Sequence, residues 1–184
     1  MNNKKVVLSL SGGLDSTTLL AYYLAKNYEV LPVIFNYKSK HNKYENKAAF
    51  NVCKYYSLNY RFVEMPFINE LFKSNLLSSG EEIPEGYYTD ATMSQTVVPG
   101  RNLIFLSILA GYAESVEAGV VAVGVHAGDH AIYPDCRAEF IYSANTTIFL
   151  SSDRKVIVEA PFLYLDKTKI LELGYSLPSH YIPP

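Results

Sequence analysis

Small and hydroxyl-bearing residues near the N-terminus have the composition of a phosphate-binding turn. The Gly12–Gly13 pair follows an apolar run and precedes a helical pattern, which predicts a strand, a tight turn and a helix. A helix N-terminus attracts anions, and glycine lets the backbone approach a phosphate closely. Ser11, Ser16 and Thr17 add hydroxyl donors. Asp15 can hold the turn or a magnesium ion. The alternative is a plain glycine turn with a serine or threonine helix cap.

A second group of useful side chains lies between residues 129 and 140. Tyr133 can stack on a flat heterocycle, Asp135 can accept hydrogen bonds from a guanine-like edge, and Arg137 can pair with a substrate carboxylate. Cys136 can act as a nucleophile or as a small buried filler. The alternative for the segment is a helix start with Asp135 as its cap and Arg137 on the surface.

Basic residues form three further candidates, each with a structural alternative. Lys38, Lys40 and His41 can neutralise nucleotide phosphates or form a solvated polar turn. Arg101 begins a long helix, where it can contact an anion or a purine or belong to a helix-initiating turn. Lys167 also begins a helix, and it can stabilise charge as pyrophosphate leaves or remain an ordinary surface lysine.

Strand and helix patterns alternate from the N-terminus. This alternation predicts an α/β fold, a doubly wound five-stranded parallel sheet with helices on both faces. The predicted strands are residues 5–8, 30–35, 60–65, 119–124 and 156–160. The predicted helices are residues 17–26, 43–56, 67–73, 101–117, 137–150 and 166–173, the last capped by Gly174. Ligands of such sheets bind beyond the carboxyl ends of the strands. Segments 9–17, 36–41, 125–137 and 161–167 should therefore line one site.

Two stretches lack periodicity. Residues 74–100 are rich in Ser, Gly, Pro and Thr. An aperiodic segment of that length in a compact domain is either disordered or functional. As a functional segment, it would be an active-site lid. The proline-rich residues 177–184 are not expected to form regular structure. We expect one domain over residues 1–184.

Composition excludes several classes of protein. The chain has 184 residues, 49% of them hydrophobic, and a net charge of -2, which gives no general attraction to nucleic acid or to an anionic membrane. No apolar stretch is expected to reach membrane-spanning length, and no signal peptide is expected. Two cysteines cannot form a disulfide framework or a four-thiolate zinc site. The sequence therefore predicts a cytoplasmic protein that binds neither membrane nor nucleic acid.

With these segments in place, the sequence resembles the N-type ATP pyrophosphatases (PP-loop enzymes), whose signature Ser-Gly-Gly-x-Asp-Ser stands at residues 11–16. More narrowly, it resembles the 7-cyano-7-deazaguanine synthase (QueC) family. Three further motifs occur in the family's order. The first is Phe-x-Tyr-x-x-x-His at residues 35–41, with Glu45 four residues further on. The second is Val-Pro-Gly-Arg-Asn at residues 98–102, preceded by another valine. The third is Tyr-Pro-Asp-Cys-Arg-x-Glu-Phe at residues 133–140.

The resemblance implies a Rossmann-like, adenine nucleotide alpha hydrolase-like fold and an ATP-dependent carbon–nitrogen ligase. Its substrates would be 7-carboxy-7-deazaguanine, ATP and ammonia, with Mg²⁺ as cofactor. ATP would adenylate the carboxylate, ammonia would displace AMP to give an amide, and a second activation would dehydrate the amide to the nitrile of queuosine biosynthesis.

The resemblance also implies roles for residues at matching positions. The catalytic group would be Asp15, Ser16 and Lys167, with Asp15 near magnesium. The ATP-binding group would be Leu10, Ser11, Gly12, Gly13, Asp15, Ser16, Thr17, Tyr37, His41 and Arg101. The deazaguanine-binding group would be Asp129, Tyr133, Asp135, Arg137 and Phe140.

The sequence departs from the family pattern in two places. Ser39-Lys40-His41 replaces the usual Gln-Arg-His, which keeps positive charge but removes a planar two-point donor. Residues 175–184 are expected to form an irregular tail in place of the family's module of four zinc-binding cysteines. Zinc is thus expected for the family, but its ligands are absent here. Family members are commonly homodimers, which implies a homodimer or a partner protein that replaces the tail.

Three alternative functions stay open. The enzyme can stop at the amide, or transfer the activated deazaguanine to another amine. A shortened relative can also bind nucleotide or deazaguanine without turnover. A fourth alternative, tRNA thiolation by a related pyrophosphatase, is disfavoured by the absence of a cysteine pair and of a basic surface signal.

Overall fold

The computed structural model describes residues 4–82 and 91–178. In this part of the chain, five strands form a parallel sheet in the order β3-β2-β1-β4-β5. The strands are β1 (Lys5–Ser9), β2 (Glu29–Asn36), β3 (Arg61–Glu64), β4 (Val120–Ala122) and β5 (Ile157–Glu159). The helices are α1 (Leu14–Ala25), α2 (Asn42–Tyr55), α3 (Pro66–Leu71), α4 (Arg101–Ser115), α5 (Ala138–Ser151) and α6 (Lys167–Ser176). The predicted five-stranded α/β fold is confirmed.

The sheet is doubly wound, with helices on both faces, and successive residues of its strands contribute to opposite faces. In β1, Val6 and Leu8 pack in a core with α1, α2 and α6. Val7, between them, packs in a second core with α4 and α5. All three side chains are fully buried. Both faces of the central strand are thus covered by helices, as its continuous apolar run predicted.

Pro32 is accommodated within β2 without breaking it. The carbonyl of Val33 accepts a hydrogen bond from Leu10 N at 2.9 Å, so the backbone groups of Val33 face β1. The nitrogen of the preceding Pro32 therefore points to the β3 side, since neighbouring residues alternate. Pairing with β3 begins only at Val33, so no ladder hydrogen bond is lost at this proline.

Two predicted helix boundaries were wrong by three residues, and the other helix boundaries lie within two residues of the prediction. Helix α1 begins at Leu14, three residues earlier than expected, which places Asp15 and Ser16 in its first turn. Helix α6 continues through Gly174 to Ser176, into the tail that was expected to be irregular. Gly174 packs against Thr18 and needs no left-handed conformation. The helix ends where Pro178 favours an extended conformation of the preceding residue. Residues 179–184, the rest of that tail, lie outside the described residues.

The long aperiodic segment is partly ordered around the loop that follows β2. Ser39 forms an isolated bridge with Leu77, and Lys40 N donates to Leu76 O at 2.9 Å. Residues Ala91–Thr96 form a short 3-10 helix that leads towards α4. Residues 83–90, also part of the predicted lid, lie outside the described residues.

One segment contradicts the expectation that no stretch is long and apolar enough to cross a membrane. Ser94–Ser115 meets both criteria by length and composition. The core helix of a globular domain meets the same criteria, and here α4 packs against β1 and β4. We therefore interpret the segment as the central helix of one face of the sheet.

Candidate active site

A cleft of about 240 Å³ lies at the carboxyl ends of β1, β2 and β4. It brings together the turn after β1 and the start of α4, which are far apart in the sequence. Sequence-predicted residues in its wall are Leu10, Ser11, Gly13, Asp15, Ser16, Tyr37, Arg101, Asp129 and Cys136. Phe35 and Phe105 stack on each other with ring centroids 4.1 Å apart and add an apolar wall.

The turn after β1 is closed by its own hydroxyl groups. Ser11 N donates to Ser16 Oγ at 3.2 Å, and Ser16 Oγ donates to Gly13 O at 3.2 Å. The hydroxyl oxygens of Ser11 and Ser16 are 3.1 Å apart. These contacts fold the turn back onto the first turn of α1, where amide groups without intrahelical partners point outwards.

Gly12 is required by packing against α2, which differs from its predicted role. Its φ is +79°, and a Cβ at this position would lie 2.4 Å from Ala49 N and 2.6 Å from the side chain of Ala48. The residue therefore lets the turn approach helix α2. Gly13 lines the cleft, and a Cβ there would meet only Ser11 Oγ, at 3.5 Å. Gly13, rather than Gly12, therefore exposes its backbone to the cleft.

Asp15 has one oxygen that no described group satisfies. Its Oδ1 atom is buried without a hydrogen-bond partner, and its Oδ2 atom is 3.7 Å from Nε2 of His126. Burial raises the pKa of the Asp15 carboxyl above its ordinary value; the charges of His126 and Lys167 act against this shift, and that of Asp129 adds to it. An unsatisfied carboxylate oxygen beside a cleft is a suitable ligand for a cation or for an N–H donor.

The donor set fits a magnesium ion that is shared with phosphate oxygens. Asp15 and Asp129 both line the cleft and supply carboxylate oxygens, the ligand type that Mg²⁺ prefers. Among the described residues, no group of three or more His, Cys, Asp or Glu side chains is arranged to hold a metal ion by itself. Mg²⁺ is commonly bound through one or two carboxylates plus substrate phosphates, which matches this arrangement.

Arg101 presents a positive charge to the cleft without an acidic partner. Its Nη1 atom donates to the hydroxyl of Tyr37 at 3.3 Å, and its guanidinium lies 6.0 Å from the ring centroid of Phe105. Within the described part of the chain, no carboxylate is within 4.0 Å of this guanidinium. Glu45 also lines the cleft; burial raises its carboxyl pKa, while the charges of Arg101 and His41 act to lower it. The guanidinium is therefore available to an anionic ligand.

The segment 133–137 packs against the start of α4. Asp135 Oδ2 accepts a hydrogen bond from Asn102 N at 2.9 Å, and the Asp135 carbonyl accepts one from Asn102 Nδ2 at 3.0 Å. Arg137 Nε donates to His130 O at 2.9 Å. Asp135 therefore acts as a helix cap, as in the structural alternative considered from the sequence, but the helix that it caps is α4.

Cys136 lines the cleft as a buried thiol. Asn102 Nδ2 lies 3.2 Å from its Sγ atom. Burial raises the thiol pKa to about 12, and the carboxylates of Asp129 and Asp135 contribute to the increase. The group is therefore a neutral thiol at physiological pH, a poor nucleophile.

Several predicted site residues do not line this cleft. Of the deazaguanine group, Asp129 lines it. The residues outside its wall are Tyr133, Asp135, Arg137, Phe140, His41, Lys167, Gly12 and Thr17. Gly12 and Thr17 instead line a neighbouring apolar cleft of about 550 Å³ between α1, α2 and α6. Lys167 is exposed at the first residue of α6, although its charge acts on Asp15.

Sequence reasoning did not assign a role to two residues of this site. Glu45 belongs to a family motif but had no predicted role in binding or catalysis, and no role was predicted for His126. His126 is 3% exposed, and its ring lies behind the carboxylates of Asp15 and Asp129. The signal that was available is its position, since it lies four residues after the carboxyl end of the central strand β4.

Comparisons with known proteins agree with the motifs. The family model described as "Queuosine biosynthesis protein QueC" matches residues 5–182. The 7-cyano-7-deazaguanine synthase of Desulfotalea psychrophila is 46% identical over 93% of this chain and 78% of its own length. The enzyme of the same name from Caldicellulosiruptor bescii is 44% identical over 96% of this chain and 80% of its own length.

Similarity to solved structures concerns the fold. A structure described as a predicted subunit of tRNA methyltransferase from Methanocaldococcus jannaschii has a TM-score of 0.60 at 17% identity, covering 94% of this chain and 74% of that one. The NH3-dependent NAD synthetase of Campylobacter jejuni has a TM-score of 0.54 at 19% identity, covering 99% and 68%. With the family match over nearly the whole chain, this protein belongs to the queuosine biosynthesis protein QueC family.

Proposed function

We propose that this protein is an ATP-dependent carbon–nitrogen ligase that converts 7-carboxy-7-deazaguanine and ammonia to 7-cyano-7-deazaguanine. The observation that carries the proposal is the shared cleft. The hydroxyl-rich turn before α1 and the guanidinium of Arg101, which has no described acidic partner, face the same space. A triphosphate and a carboxylate substrate require such a pair of anion sites. The family match supports a 7-cyano-7-deazaguanine product, and the family resemblance implies the acid.

In the first half of the site, the turn holds the phosphates of ATP. The outward amides at the start of α1 and the Ser11 hydroxyl donate to phosphate oxygens. Asp15, with Asp129 nearby, is the residue that would hold Mg²⁺, which neutralises charge on the phosphates. Lys167, whose charge already acts on Asp15, adds a cation as pyrophosphate departs.

In the second half, we assign the substrate carboxylate to Arg101, which the family resemblance placed with ATP, rather than to Arg137, because Arg101 lines the cleft and Arg137 does not. The guanidinium is held by Tyr37 and flanked by the ring of Phe105, which leaves N–H groups for two-point recognition. The stacked Phe35 and Phe105 rings offer an apolar wall for a flat heterocycle. Tyr133, Asp135, Arg137 and Phe140 stay predicted substrate contacts on the family motif.

The chemistry needs placement and charge stabilisation rather than a side-chain nucleophile. A carboxylate oxygen attacks the α-phosphorus and pyrophosphate leaves, which gives the acyl adenylate. Ammonia then attacks the acyl carbon, loses a proton and expels AMP, which leaves the amide. Activation of the amide oxygen by a second ATP releases pyrophosphate, and loss of AMP and two protons leaves the nitrile. The high thiol pKa of Cys136 agrees with a mechanism that does not use it as a nucleophile.

The proposal extends to the setting of the enzyme. Residues 1–184 act as a single PP-loop ATP pyrophosphatase domain in the cytoplasm. The active form is a homodimer or includes a partner protein. The single domain and the cytoplasmic location depend on length and composition. The homodimer or partner depends on the family resemblance, and sedimentation of the purified chain tests it.

Product analysis tests the reaction directly. The protein is incubated with ATP, Mg²⁺, 7-carboxy-7-deazaguanine and ¹⁵N-ammonium, and the products are identified by mass spectrometry together with AMP and pyrophosphate. We expect one ¹⁵N atom in a nitrile product and two AMP for each nitrile. A labelled amide without nitrile would assign the shorter reaction, and binding of both substrates without AMP release would identify a non-catalytic relative.

A matched pair of variants connects that result to the site. Asp15→Asn removes the carboxylate at the cleft, and Asp153→Asn removes an exposed carboxylate in the turn before β5. We expect AMP release to fall by about 10²-fold or more for Asp15→Asn, a typical loss for one charge-stabilising group, and to stay near the parent level for Asp153→Asn. Equal rates in the two variants would contradict the role of Asp15.

A further inference from the structure

His126 is a buried imidazole directly behind the proposed metal and phosphate site. It follows β4, is 3% exposed and does not itself line the cleft. Its Nε2 atom lies 3.7 Å from Asp15 Oδ2 and 3.6 Å from Asp129 Oδ2. One ring nitrogen therefore faces two carboxylates that come from separate elements of the fold.

The other ring nitrogen fixes which nitrogen carries the proton. Gly128 N donates to Nδ1 of His126 at 3.0 Å, so Nδ1 acts as an acceptor and carries no hydrogen. In the neutral ring the proton is then on Nε2, the nitrogen that faces the carboxylates. The ring thus directs an N–H group towards the space between Asp15 and Asp129.

This arrangement opposes the repulsion between the two acids. The charge of Asp129 acts to raise the carboxyl pKa of Asp15, and a positive charge on His126 acts to lower it. In the neutral ring, the N–H dipole at Nε2 faces the carboxylates with its positive end, which acts in the same direction as that charge. Without a donor between them, two carboxylates near a partly buried cleft would favour protonation or separation. At 3.7 and 3.6 Å, the Nε2–H group is beyond hydrogen-bond distance of either Oδ2 atom, so its effect on both carboxylates is electrostatic attraction.

The local backbone is shaped to hold the ring. A Cβ at Gly128 would lie 2.8 Å from Cε1 and 3.1 Å from Nδ1 of His126. A side chain at this position would displace either the ring or the loop. Gly128 therefore holds the imidazole in two ways. It leaves room for the ring, and its amide donates a hydrogen bond to Nδ1.

We infer that His126 is a positioning residue that orients Asp15 and Asp129 for the Mg²⁺-bound nucleotide through its Nε2–H group. The inference rests on the proposed function, because it assigns these two acids to the nucleotide and its metal. It assigns no proton transfer to the ring.

Two substitutions at the same position separate the proposed role from simple packing. His126→Gln places an amide group near the position of Nε2, whereas His126→Asn places one only near Nδ1. We measure binding of α,β-methylene ATP by calorimetry with Mg²⁺ and with EDTA, which isolates the contribution of the metal. We expect His126→Asn to lose about tenfold or more of the Mg²⁺-dependent gain in affinity, and His126→Gln to keep most of it.

Affinity in EDTA should change little in either variant, because the turn and helix amides remain. An equal loss in both variants, or an equal loss with and without Mg²⁺, would overturn the inference and assign a packing role. Unchanged binding in His126→Asn would overturn it as well. These readouts do not depend on turnover, so a failure to form the nitrile would leave them interpretable.

A measurement on the unsubstituted protein tests the geometry itself. Long-range ¹H–¹⁵N correlation spectra at alkaline pH, where an imidazole is neutral, should show His126 with hydrogen on Nε2 and none on Nδ1. Gly128→Ala should shift this signal and reduce the Mg²⁺-dependent affinity. Gly119→Ala is the matched control, since a Cβ there meets no atom within 4 Å. A proton on Nδ1 of His126, or a Gly128→Ala variant that behaves like Gly119→Ala, would contradict the proposed orientation.

Discussion

Arg101 and Arg61 are paired with tyrosine in the same way, and only one of them lies in the cleft. Arg101 Nη1 donates to Tyr37 OH at 3.3 Å, and Arg61 Nε donates to Tyr112 OH at 3.3 Å. Each guanidinium is 5.9 Å from the ring centroid of its tyrosine. Arg61 lies on the exposed edge strand β3, whereas Arg101 faces the phosphate-binding turn across the cleft. Environment, rather than the side-chain pair, distinguishes Arg101, a proposed binding residue, from Arg61, a surface residue.

This comparison leads to a prediction for substrate recognition. Arg101→Lys keeps the charge but loses the planar two-point donor, so we expect the KM for 7-carboxy-7-deazaguanine to rise by about 10- to 100-fold. Arg61→Lys should leave it within about twofold. Steady-state AMP release measures both variants. Similar KM values for the two variants would remove Arg101 from the carboxylate site.

The two cysteines lead to a prediction about pH. Burial raises the pKa of Cys53 to about 11, and burial with nearby carboxylates raises that of Cys136 to about 12. Because the thiolate is the reactive form, its fraction falls tenfold for each pH unit below the pKa, to about 10⁻³ and 10⁻⁴ at pH 8. We expect iodoacetamide to label neither thiol in the folded protein at pH 8 and both in urea, as read by peptide mass. Rapid native labelling of Cys136 at pH 7 would contradict this assignment.

At the scale of elements, α4 and α6 begin with different kinds of cap. Asp166 caps its own helix, its Oδ1 atom accepting from Lys169 N at 2.8 Å. Helix α4 begins after Gly100, and Asp135, from a segment more than thirty residues later, accepts from Asn102 N. The cap of α4 therefore also fixes the loop after β4 against the helix that carries Arg101. One carboxylate positions two parts of the candidate site.

We therefore predict that Asp135→Ala affects stability as well as the site. Loss of a cap costs about 1 kcal/mol of unfolding free energy, and Asp166→Ala should show the same cost. Urea unfolding measures both variants. If Asp135 is chiefly a cap, Asp135→Asn, which keeps an acceptor oxygen, should restore stability and substrate affinity together. Restored stability with a substrate KM still raised about tenfold would instead favour direct contact with the deazaguanine.

At the scale of the whole molecule, the position of the cleft follows from the order of the strands. In the order β3-β2-β1-β4-β5, the connections from β1 to β2 and from β4 to β5 run in opposite directions across the sheet. The segments after β1 and β4 therefore diverge and leave a crevice between them. Leu10, which follows β1, and Gly124, which follows β4, both line the cleft. The fold alone thus creates a space next to the phosphate-binding turn.

A loop beside this crevice is held by Lys40, which had been considered as a phosphate ligand. Its Nζ atom donates to the carbonyls of Asn75 at 2.9 Å, Gly80 at 3.2 Å and Glu81. The ammonium group of Lys40 therefore binds backbone carbonyls of the loop at residues 75–81. We predict that Lys40→Met lowers the free energy of unfolding by about 2 kcal/mol, since charged hydrogen bonds are lost. Amide exchange of residues 75–82 should also become faster.

Lys38→Met is the control for this change. It removes the same charge from an exposed position two residues earlier, so exchange and stability should remain near the parent values. Hydrogen exchange followed by mass spectrometry compares the variants. Equal exchange of residues 75–82 in both variants would show that Lys40 does not hold the loop.

The sequence by itself determined the sheet, its two apolar faces and the position of the glycine turn that we propose binds phosphate. These features depend on local patterns: the continuous apolar run of β1, the helical periodicity of α4, and small hydroxyl residues beside paired glycines. The same local patterns support the family motifs. Boundaries such as the end of α6 were less well predicted, because packing of Gly174 against Thr18 acts across elements.

Only the tertiary structure decided which polar groups face the cleft and which face the protein. Asp135 and Lys40 were equally suited to a ligand by residue type, but the fold supplies them with backbone partners at α4 and residues 75–81. Arg101 and Asp15 keep groups that no described residue satisfies. The proposed role of His126 depends on Asp15, which the fold brings to it from α1, together with Asp129, three residues later in its own loop. Hydrogen bonding and charge pairing depend on distance in space, which spacing along a chain does not specify.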